Sequence, residues 1–465
     1  MRTALREHGA TLLVATLAAS FGVALLQITG LLSAVVAADP TTGSHGTVQI
    51  VLAILAVVFT VIAVYVGGIV TTNTVATIVA GRRRQIALLR LIGASARGER
   101  ARIAREGLLV GALGAVSGVL AGTGAAALIA VIGQHTGVLG TVGYSYANPV
   151  VLIPAAAVAA TTWLAAWAGA APVLGVRPVE ALGAGVEHTG AELAARRGRT
   201  GIAITLLALG AGVLILGVGV GLVSPFGVLI GLVGGLLSFS GIVLLAERII
   251  PPVLRLVGLL FGGAQATRLA AENARRSPER ASRMTIGLVI GVTLVTTLSV
   301  TMQSYQDMLR RAAAADPGDY AGTDTVLQTT VAVFGVLVGF SALIAAVGLV
   351  NVLSLNVLQR TRELGLMRAL GFDRAQLRLM VLAEAAALTI TAVVLGLLFG
   401  FAYGWVGAQS LLGAIAGSPG LVAPGIPWPV IGVIVAAAAV LTLVASVAPS
   451  RRATRVAPIA ALAVE

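Results

Sequence analysis

Long apolar stretches alternate along the chain with short segments that are rich in arginine. A transmembrane helix needs about 20 mainly apolar residues to cross about 30 Å of hydrocarbon. Ten stretches are long enough, at roughly 11–37, 49–79, 106–133, 150–172, 201–221, 226–247, 284–303, 328–358, 379–411 and 428–448. The pattern therefore predicts an all-α polytopic membrane protein with ten transmembrane helices.

Composition indicates the same class. Charged residues make up 11% of the 465 residues, whereas soluble proteins carry about 25%. A net charge of +13 often indicates nucleic-acid binding, but here the basic residues lie between apolar spans, so no nucleic-acid partner is expected. The chain has no cysteine and four scattered histidines. We therefore expect no metal site.

The arginines orient the predicted spans. The connection 82–105 and the connection 360–378 are rich in arginine, and so are 177–199, 248–283 and the tail from Arg451. All of these segments fall on one side of a ten-span chain, and the opposite loops contain only Arg310 and Arg311. Because cytoplasmic loops carry the excess of basic residues, both termini are predicted to be cytoplasmic.

The two halves of the chain repeat with a constant offset of 278 positions. Matched pairs include Asn73 with Asn351, Arg82 with Arg360, Arg90 with Arg368, Gly93 with Gly371, Glu106 with Glu384, and Gly118 and Gly122 with Gly396 and Gly400. Each unit has four spans, and spans five and six have no copy. This predicts two parallel four-helix repeats, 1–185 and 266–465, joined by a linker at 186–265 with two extra helices.

A short charged segment follows the second span of each repeat. RRRQIALLRLIG runs from Arg82 to Gly93, and RTRELGLMRALG runs from Arg360 to Gly371. The glycines are natural helix stops. Ser95 and Asp373 are good N-caps, and Gln376 completes a capping box with Asp373. Each segment is therefore predicted to be a short helix, a sharp turn and a new helix that runs into the next span.

Two interpretations of these segments remain open from the residues alone. A basic amphipathic helix often rests on lipid headgroups. One copy in each repeat, at equal positions, instead favours docking onto a pair of equivalent partners. The preceding spans, 49–79 and 328–358, are about 46 Å long as helices, so they are expected to project into the cytoplasm and present the charged turn there.

The second copy resembles a known family. Its pattern R-x-R-E-L-G-L-M-R-A-L-G, with an acidic residue early in the next span and then G-x-x-x-G, is similar to the FtsX-like permease domain of MacB-type ABC transporters. The closing Pro-Ser-Arg-Arg-Ala and Pro-Ile-Ala-Ala-Leu also resemble the end of that domain. The first copy departs mildly, because Gln85 stands where the second has Glu363.

The resemblance implies a role for both segments, namely coupling to a cytoplasmic ATPase. The residues that carry it are Arg82, Arg83, Arg84, Gln85, Leu89, Arg90 and Gly93, and in the second copy Arg360, Arg362, Glu363, Met367, Arg368 and Gly371. It implies the permease subunit of an ABC transporter in a bacterial plasma membrane. The resemblance further implies that such a permease exports or extracts a hydrophobic or amphipathic substrate by mechanotransmission. The substrate would be a lipid, lipoprotein, peptide or drug.

All 31 basic residues are arginine, so a P-loop lysine is absent from the sequence. A conventional P-loop requires that lysine to bind the phosphates. We therefore expect no ATPase activity and no cofactor in this chain. ATP and magnesium are expected in a separate ABC ATPase, in two copies per permease.

The predicted outer loops, about 38–48 and 304–327, are too short for the large outer domain that many family members carry. No large extracellular domain is expected. A substrate taken from membrane lipid, or a separate extracytoplasmic partner, is expected instead.

Glu106 and Glu384 leave other functions open. Acidic residues within membrane spans are functional candidates by default, so a secondary transporter with ion or proton sites at these residues is an alternative. A structural role is the other interpretation, in which Arg102, Arg105 or Arg378 pairs with them near the cytoplasmic boundary. A non-transporting membrane regulator of an extracytoplasmic enzyme is a third candidate function.

Overall fold

The computed structural model of the protein describes residues 9–38, 46–135, 146, 148–175, 190–260, 278–315, 339, 373–414 and 420–453. In this part of the chain the regular elements are helices, and no strand occurs. The chain divides into two compact units, Met1–Thr189 with Arg311–Ile344 and Gly190–Arg310 with Ala345–Glu465. Each unit is described by itself below.

The described part of the first unit contains five α-helices. They are α1 (Gly9–Ala38), α2 (Gly46–Gly81), α3 (Arg83–Leu91), α4 (Ala96–His135) and α5 (Leu152–Gly169). Short 3-10 turns, Pro149–Val151 and Ala171–Gly175, flank α5. The short helix α3 is the predicted charged segment, and it lies between two helices that are long enough to cross a membrane.

The second unit contains the remaining long helices. They are α6 (Gly190–Gly221), α7 (Gly227–Leu260), α8 (Pro278–Ala315), α9 (Arg374–Leu412) and α10 (Trp428–Ala453). Among the described residues, eight helices are long and apolar enough to span a membrane. The all-α polytopic class is thereby confirmed. The predicted span 328–358 lies outside the described residues except for residue 339, so the count of ten stays a prediction.

One predicted loop begins later than expected. Helix α8 continues to Ala315, well into the segment 304–327 that was predicted to be an outer loop, so the predicted start of that loop is wrong. Residues 304–316 contain neither glycine nor proline, and Pro317 is the first residue that breaks the pattern. The alanines before Asp316 have the highest helix propensity, so no residue before Pro317 favours an earlier end of the helix.

Small residues allow α1 and α4 to pack at very short range. A Cβ atom added at Gly118 would lie 2.8 Å from the carbonyl oxygen of Thr16, and one added at Gly122 would lie 2.6 Å from that of Ser20. Thr16 and Ser117 also share a hydrogen bond of 2.8 Å between their hydroxyls. Close backbone approach of this kind is how membrane helices gain packing energy when lipid tails are as apolar as the side chains.

The second unit repeats this packing between α8 and α9, but one helical turn further along α9. In each unit, three glycines at four-residue spacing face three residues of the partner helix. In the first unit Gly114, Gly118 and Gly122 face Ala15, Ala19 and Val23, respectively. In the second unit Gly396, Gly400 and Gly404 face Val292, Thr296 and Val300, respectively. When α1 and α8 are matched through Asp39-Pro40 and Asp316-Pro317, the packing pairs Gly118 with Gly400, one turn beyond the sequence match of Gly118 with Gly396. A ladder of small residues at four-residue spacing permits such a shift, because each step presents an equivalent face.

The two extra helices, α6 and α7, pack against each other and against α9. A Cβ atom at Gly217 would lie 2.6 Å from the backbone nitrogen of Gly231, so the two helices touch through their backbones. Tyr403 of α9 shares a hydrogen bond of 2.9 Å with the hydroxyl of Ser238 on α7, and its ring meets Phe239 edge to face. The extra helices are thus part of the second compact unit.

We expect Gly118→Val to destabilise the protein, because the added side chain overlaps Ala19 and the backbone of Ser20. Overpacking of this kind typically costs about 1–3 kcal/mol. Thermal unfolding in detergent measures the effect. Gly124→Val on the same helix is the matched control, because a Cβ atom there meets nothing within 4 Å. Equal melting temperatures for the two variants would contradict the close α1–α4 contact.

Candidate functional site

Helix α3 is a direct continuation of α2. The backbone N–H of Arg82 donates to the carbonyls of Ile78 and Val79, both at 3.1 Å, and the N–H of Ile86 donates to the carbonyl of Arg82 at 2.9 Å. Only one residue therefore separates the two helices. Helix α2 has 36 residues, which corresponds to about 54 Å against about 30 Å of hydrocarbon. These dimensions agree with the predicted projection of the long helix beyond the membrane.

The inner face of α3 belongs to the core of the first unit. Ile86 and Ala87 are buried in one cluster with residues of α2, of α5 and of the turn after α5. The other members are Val75, Val79, Ala166, Ala170 and Val173, and Ile103 of α4 packs against them. A helix anchored to three neighbouring helices moves with them rather than independently.

The outer face of α3 is apolar and exposed. Leu88 and Leu91 are each about half exposed, and Ile92 is 83% exposed. Gln85 is also exposed, whereas Arg82 and Arg90 are half-buried. The side chains of Arg83 and Arg84 lie outside the described part of the structure. The exposed surface formed by Leu88, Leu91 and Ile92, here termed the outer patch, is therefore available to a partner.

The turn after α3 has a defined geometry. The N–H of Ala94 donates to the carbonyl of Leu89 at 3.0 Å, and the N–H of Gly93 donates to that of Arg90 at 3.2 Å. These two bonds form a Schellman motif, and Gly93 has a positive φ of 105°. The hydroxyl of Ser95 then accepts from the N–H of Gly98 at 3.0 Å. Both the predicted glycine stop and the predicted N-cap are confirmed.

Charged side chains of α4 line a small cleft against α2 and α3. Arg102 lies 3.6 Å from a carboxylate oxygen of Glu99 and 3.6 Å from one of Glu106. Half-buried Leu89 lines the same cleft beside Arg82 and Gln85. The predicted pairing of Glu106 with Arg102 is confirmed. Both pairs lie within α4 and are partly exposed, so they contribute little stability.

A second contact ties the start of α4 to the end of α5. The guanidinium of Arg100 lies 3.5 Å from the ring centroid of Trp167, and its Nε donates to the carbonyl of Trp167 at 3.0 Å. A cation over an indole ring is attracted by the ring quadrupole. The turn after α3 is therefore linked to the fourth span of its repeat as well as to the second.

The second charged segment, with Arg360, Arg362, Glu363, Met367, Arg368 and Gly371, lies outside the described residues. The cap that follows it is described. The N–H of Gln376 donates to Asp373 at 2.8 Å, and Gln376 accepts from the N–H of Asp373 at 3.1 Å. The predicted capping box is therefore confirmed.

Glu384 is only 8% exposed in the apolar part of α9. At the offset of 278 positions it matches Glu106, whose side chain is 30% exposed and pairs with Arg102. The two carboxylates are therefore in different surroundings, although the sequence places them at matching positions. Among the described residues, no group of three acidic, histidine or cysteine side chains is arranged to hold a metal ion.

The sequence interpretation missed two features of this site. It did not identify Leu88 and Leu91 as exposed. The periodicity of a nine-residue helix with apolar residues on several sides does not show which side faces the core. It also missed the Arg100–Trp167 contact, because the two residues lie 67 positions apart.

Comparison with known proteins yields one family. Residues 57–176 and 335–458 both match the family model described as FtsX-like permease C-terminal. The two segments together cover more than half of the chain. Their starts are 278 positions apart and their ends 282 positions apart, which agrees with the extra turn found in α9.

Curated relatives match over shorter stretches. An uncharacterized ABC transporter permease, YknZ of Bacillus subtilis, is 31% identical over 165 residues, which are 36% of this chain and 38% of the relative. A macrolide export ATP-binding/permease protein, MacB of Rhodopirellula baltica, is 33% identical over 130 residues, 28% of this chain and 18% of the relative. The matched regions thus span well under two thirds of either relative.

We expect Gly93→Val to distort the turn between α3 and α4, because a left-handed conformation costs a β-branched residue about 1–2 kcal/mol. Gly93→Asn is the milder matched change, since asparagine tolerates the left-handed region better than other side chains. Hydrogen exchange of the backbone amides of residues 88–98 measures the opening of the turn. Equal exchange in the two variants would contradict the strained geometry assigned to Gly93.

Proposed function

Because this chain belongs to the FtsX-like permease family, we propose that it is the permease subunit of an ABC transporter and works with a separate cytoplasmic ATPase. ATP and magnesium bind to that partner in this proposal, and this chain carries no cofactor. The names of the relatives support it, since one is an ABC transporter permease and another combines ATP-binding and permease functions.

The observation that carries the proposal is the two-sided character of α3. Its inner side, Ile86 and Ala87, is fixed in the core of the first unit. Its outer patch exposes three large aliphatic side chains close to arginines. Exposed apolar patches with polar rims are typical of protein interaction sites. A rigidly anchored helix with such a patch suits a partner that must push or pull on the membrane domain.

Motion applied to α3 has two routes into the first unit. One route is the nearly continuous backbone from α3 into α2. The other runs through the Ser95 cap into α4 and through Arg100 into α5. Closure of the ATPase would thereby displace three spans together. This is the mechanotransmission step of the proposal, in which the long helices pass the movement to the opposite side of the membrane.

The second charged segment is proposed to dock a second ATPase copy. The family match at 335–458 includes Arg360–Gly371, and the capping box at Asp373 corresponds in position to the Ser95 cap of the first repeat. Two equivalent docking segments on one chain favour two ATPase copies per permease. The excess of arginine in these connections supports a cytoplasmic position for both segments and both termini in a bacterial plasma membrane, because cytoplasmic loops carry the excess of basic residues.

The proposed substrate is hydrophobic or amphipathic, such as a lipid, lipoprotein, peptide or drug, and it is exported or extracted. Many described residues of the spans expose aliphatic side chains, among them Leu120, Leu128, Ile215 and Val433, which favours a substrate that approaches through lipid. The MacB relatives are named for macrolide export, and a macrolide falls within this class.

The burial of Glu384 favours a second candidate, a secondary transporter that uses this carboxylate as an ion or proton site. Buried acids in membrane spans are often parts of proton pathways. In that case transport requires no ATPase. Glu106 is more exposed and gives less support of this kind, so an ion site would belong to the second repeat.

We expect Ile92→Asp to weaken ATPase binding, because it places a charge in the centre of the outer patch. Loss of an apolar anchor at an interface typically costs about 2 kcal/mol, which is more than tenfold in affinity. Pull-down of the ATPase with the tagged permease, together with ATP hydrolysis, measures the effect. Val223→Asp is the matched control, since Val223 is equally exposed at 83% but lies in the turn between α6 and α7. Unchanged ATPase binding to the Ile92 variant would overturn the docking assignment.

We expect Glu384→Gln to leave ATP hydrolysis by the assembled complex within about twofold of the wild type, because the amide preserves the shape of the carboxyl. Glu106→Gln is the matched variant in the first repeat. Proton uptake into proteoliposomes that contain the permease without any ATPase is measured in parallel. Uptake by the permease alone that disappears in the Glu384 variant would replace the ABC proposal with the secondary transporter.

A further inference from the structure

The segment Gly420–Trp428 connects α9 to α10 at the end of the second unit opposite to the Asp373 capping box. It contains no regular helix before Trp428, yet side chains of neighbouring helices bond its backbone closely. Gln409 donates to the carbonyl of Gly420 at 2.8 Å and accepts from the N–H of Val422 at 3.2 Å. The segment is thus held in place by α9.

Two further bonds complete this attachment. The indole N–H of Trp405 donates to the carbonyl of Val422 at 2.7 Å. The N–H of Gly425 donates to the hydroxyl of Ser304 on α8 at 3.0 Å, and a Cβ atom at Gly425 would lie 2.8 Å from the backbone nitrogen of Ser304. Irregular backbone at membrane depth is tolerated only where protein groups satisfy its hydrogen bonds, and this segment meets that condition at four backbone groups.

The three largest exposed side chains of the same segment are apolar. Leu421 is 67% exposed, Trp428 is 70% exposed, and Ile426 is about half exposed. Residues 385–450 contain no arginine, lysine, aspartate or glutamate. A protein interface in water normally has a polar and charged rim. The segment itself carries no charge to supply one, and the charged residues of α8 beyond the Ser304 contact are Asp307, Arg310 and Arg311.

The spacing along α10 places Trp428 at a membrane boundary. Arg451 is the first charged residue after this apolar region, and it lies 23 positions after Trp428. That length of helix is about 35 Å, close to the thickness of about 30 Å of the hydrocarbon core. With Arg451 at one boundary, Trp428 therefore lies near the other, where tryptophan side chains are enriched.

We propose that Gly420–Trp428 is a membrane-inserted surface whose partner is phospholipid, contacted through Leu421, Ile426 and Trp428 in the leaflet opposite to the Asp373 capping box. In the first unit, Gln27 of α1 likewise donates to a backbone carbonyl outside the long helices, that of Tyr146. Because Ser304 and Gln409 tie the segment to α8 and α9, movement of these helices displaces lipid directly. The inference rests on the membrane spans alone and is independent of ATPase coupling.

The chain has no cysteine, so single nitroxide labels are straightforward to introduce into the full-length protein. Leu421→Cys is labelled in liposomes of phosphatidylethanolamine and phosphatidylglycerol, and its collision rates with oxygen and with a water-soluble nickel chelate are compared. Leu120→Cys, at 71% exposure on the span α4, is the lipid-facing control. Ser95→Cys in the exposed turn after α3 is the water-facing control.

We expect the oxygen-to-nickel ratio at position 421 to exceed that at position 95 several-fold and to approach that at position 120. A ratio equal to that at Ser95 would overturn the proposal and indicate a surface exposed to water. Low collision rates with both reagents would also overturn it and indicate that protein covers the segment. Gln409→Leu in the labelled chain should increase the mobility of the label, because two backbone groups lose their partner; unchanged mobility would contradict the attachment to α9.

Discussion

The docking of a nine-residue helix onto the core of the first unit is the contact on which the rest of the account depends. Ile86 and Ala87 contribute to the same buried cluster as Val75, Val79 and Ala166. If α3 only rested on headgroups, a force on its outer patch would tilt it without moving the spans. Because its inner face is part of the protein core, α3 moves with α2 and α5.

The packing of the spans makes this rigidity possible. Glycines of α4 bring the backbone of α1 within contact distance, and glycines of α9 do the same with α8. Interiors packed this tightly resist gradual deformation and respond to force by moving as blocks. The one-turn displacement between the two repeats preserves these contacts. As a result, the helix between the Asp373 cap and Gly396 is about one turn, or about 6 Å, longer than the helix between the Ser95 cap and Gly114.

The sequence was sufficient for the class, most helices, the repeat and the caps, because each has a strong local signal. Apolar length predicted the spans, and Gly93, Ser95 and Asp373 predicted where helices end and begin. Features that depend on tertiary packing were not predictable. The outer patch depends on which side of α3 the core covers. The Arg100–Trp167 contact joins residues that are distant in the sequence. The shifted pairing of Gly118 with Gly400 depends on an extra helical turn, which leaves the same helix face in contact. The C-terminal end of α8 was predicted too early. The sequence after residue 303 is less apolar, but its residues still favour a helix.

The stoichiometry of the complex tests the central claim most directly, since the two proposed docking segments on one chain predict two ATPase copies. The mass of the intact complex, purified from its native membrane through a tagged permease, gives the number of ATPase chains. The account predicts two copies, with loss of about one copy in each of the variants Arg90→Glu and Arg368→Glu. A permease that purifies alone at every nucleotide condition would contradict it.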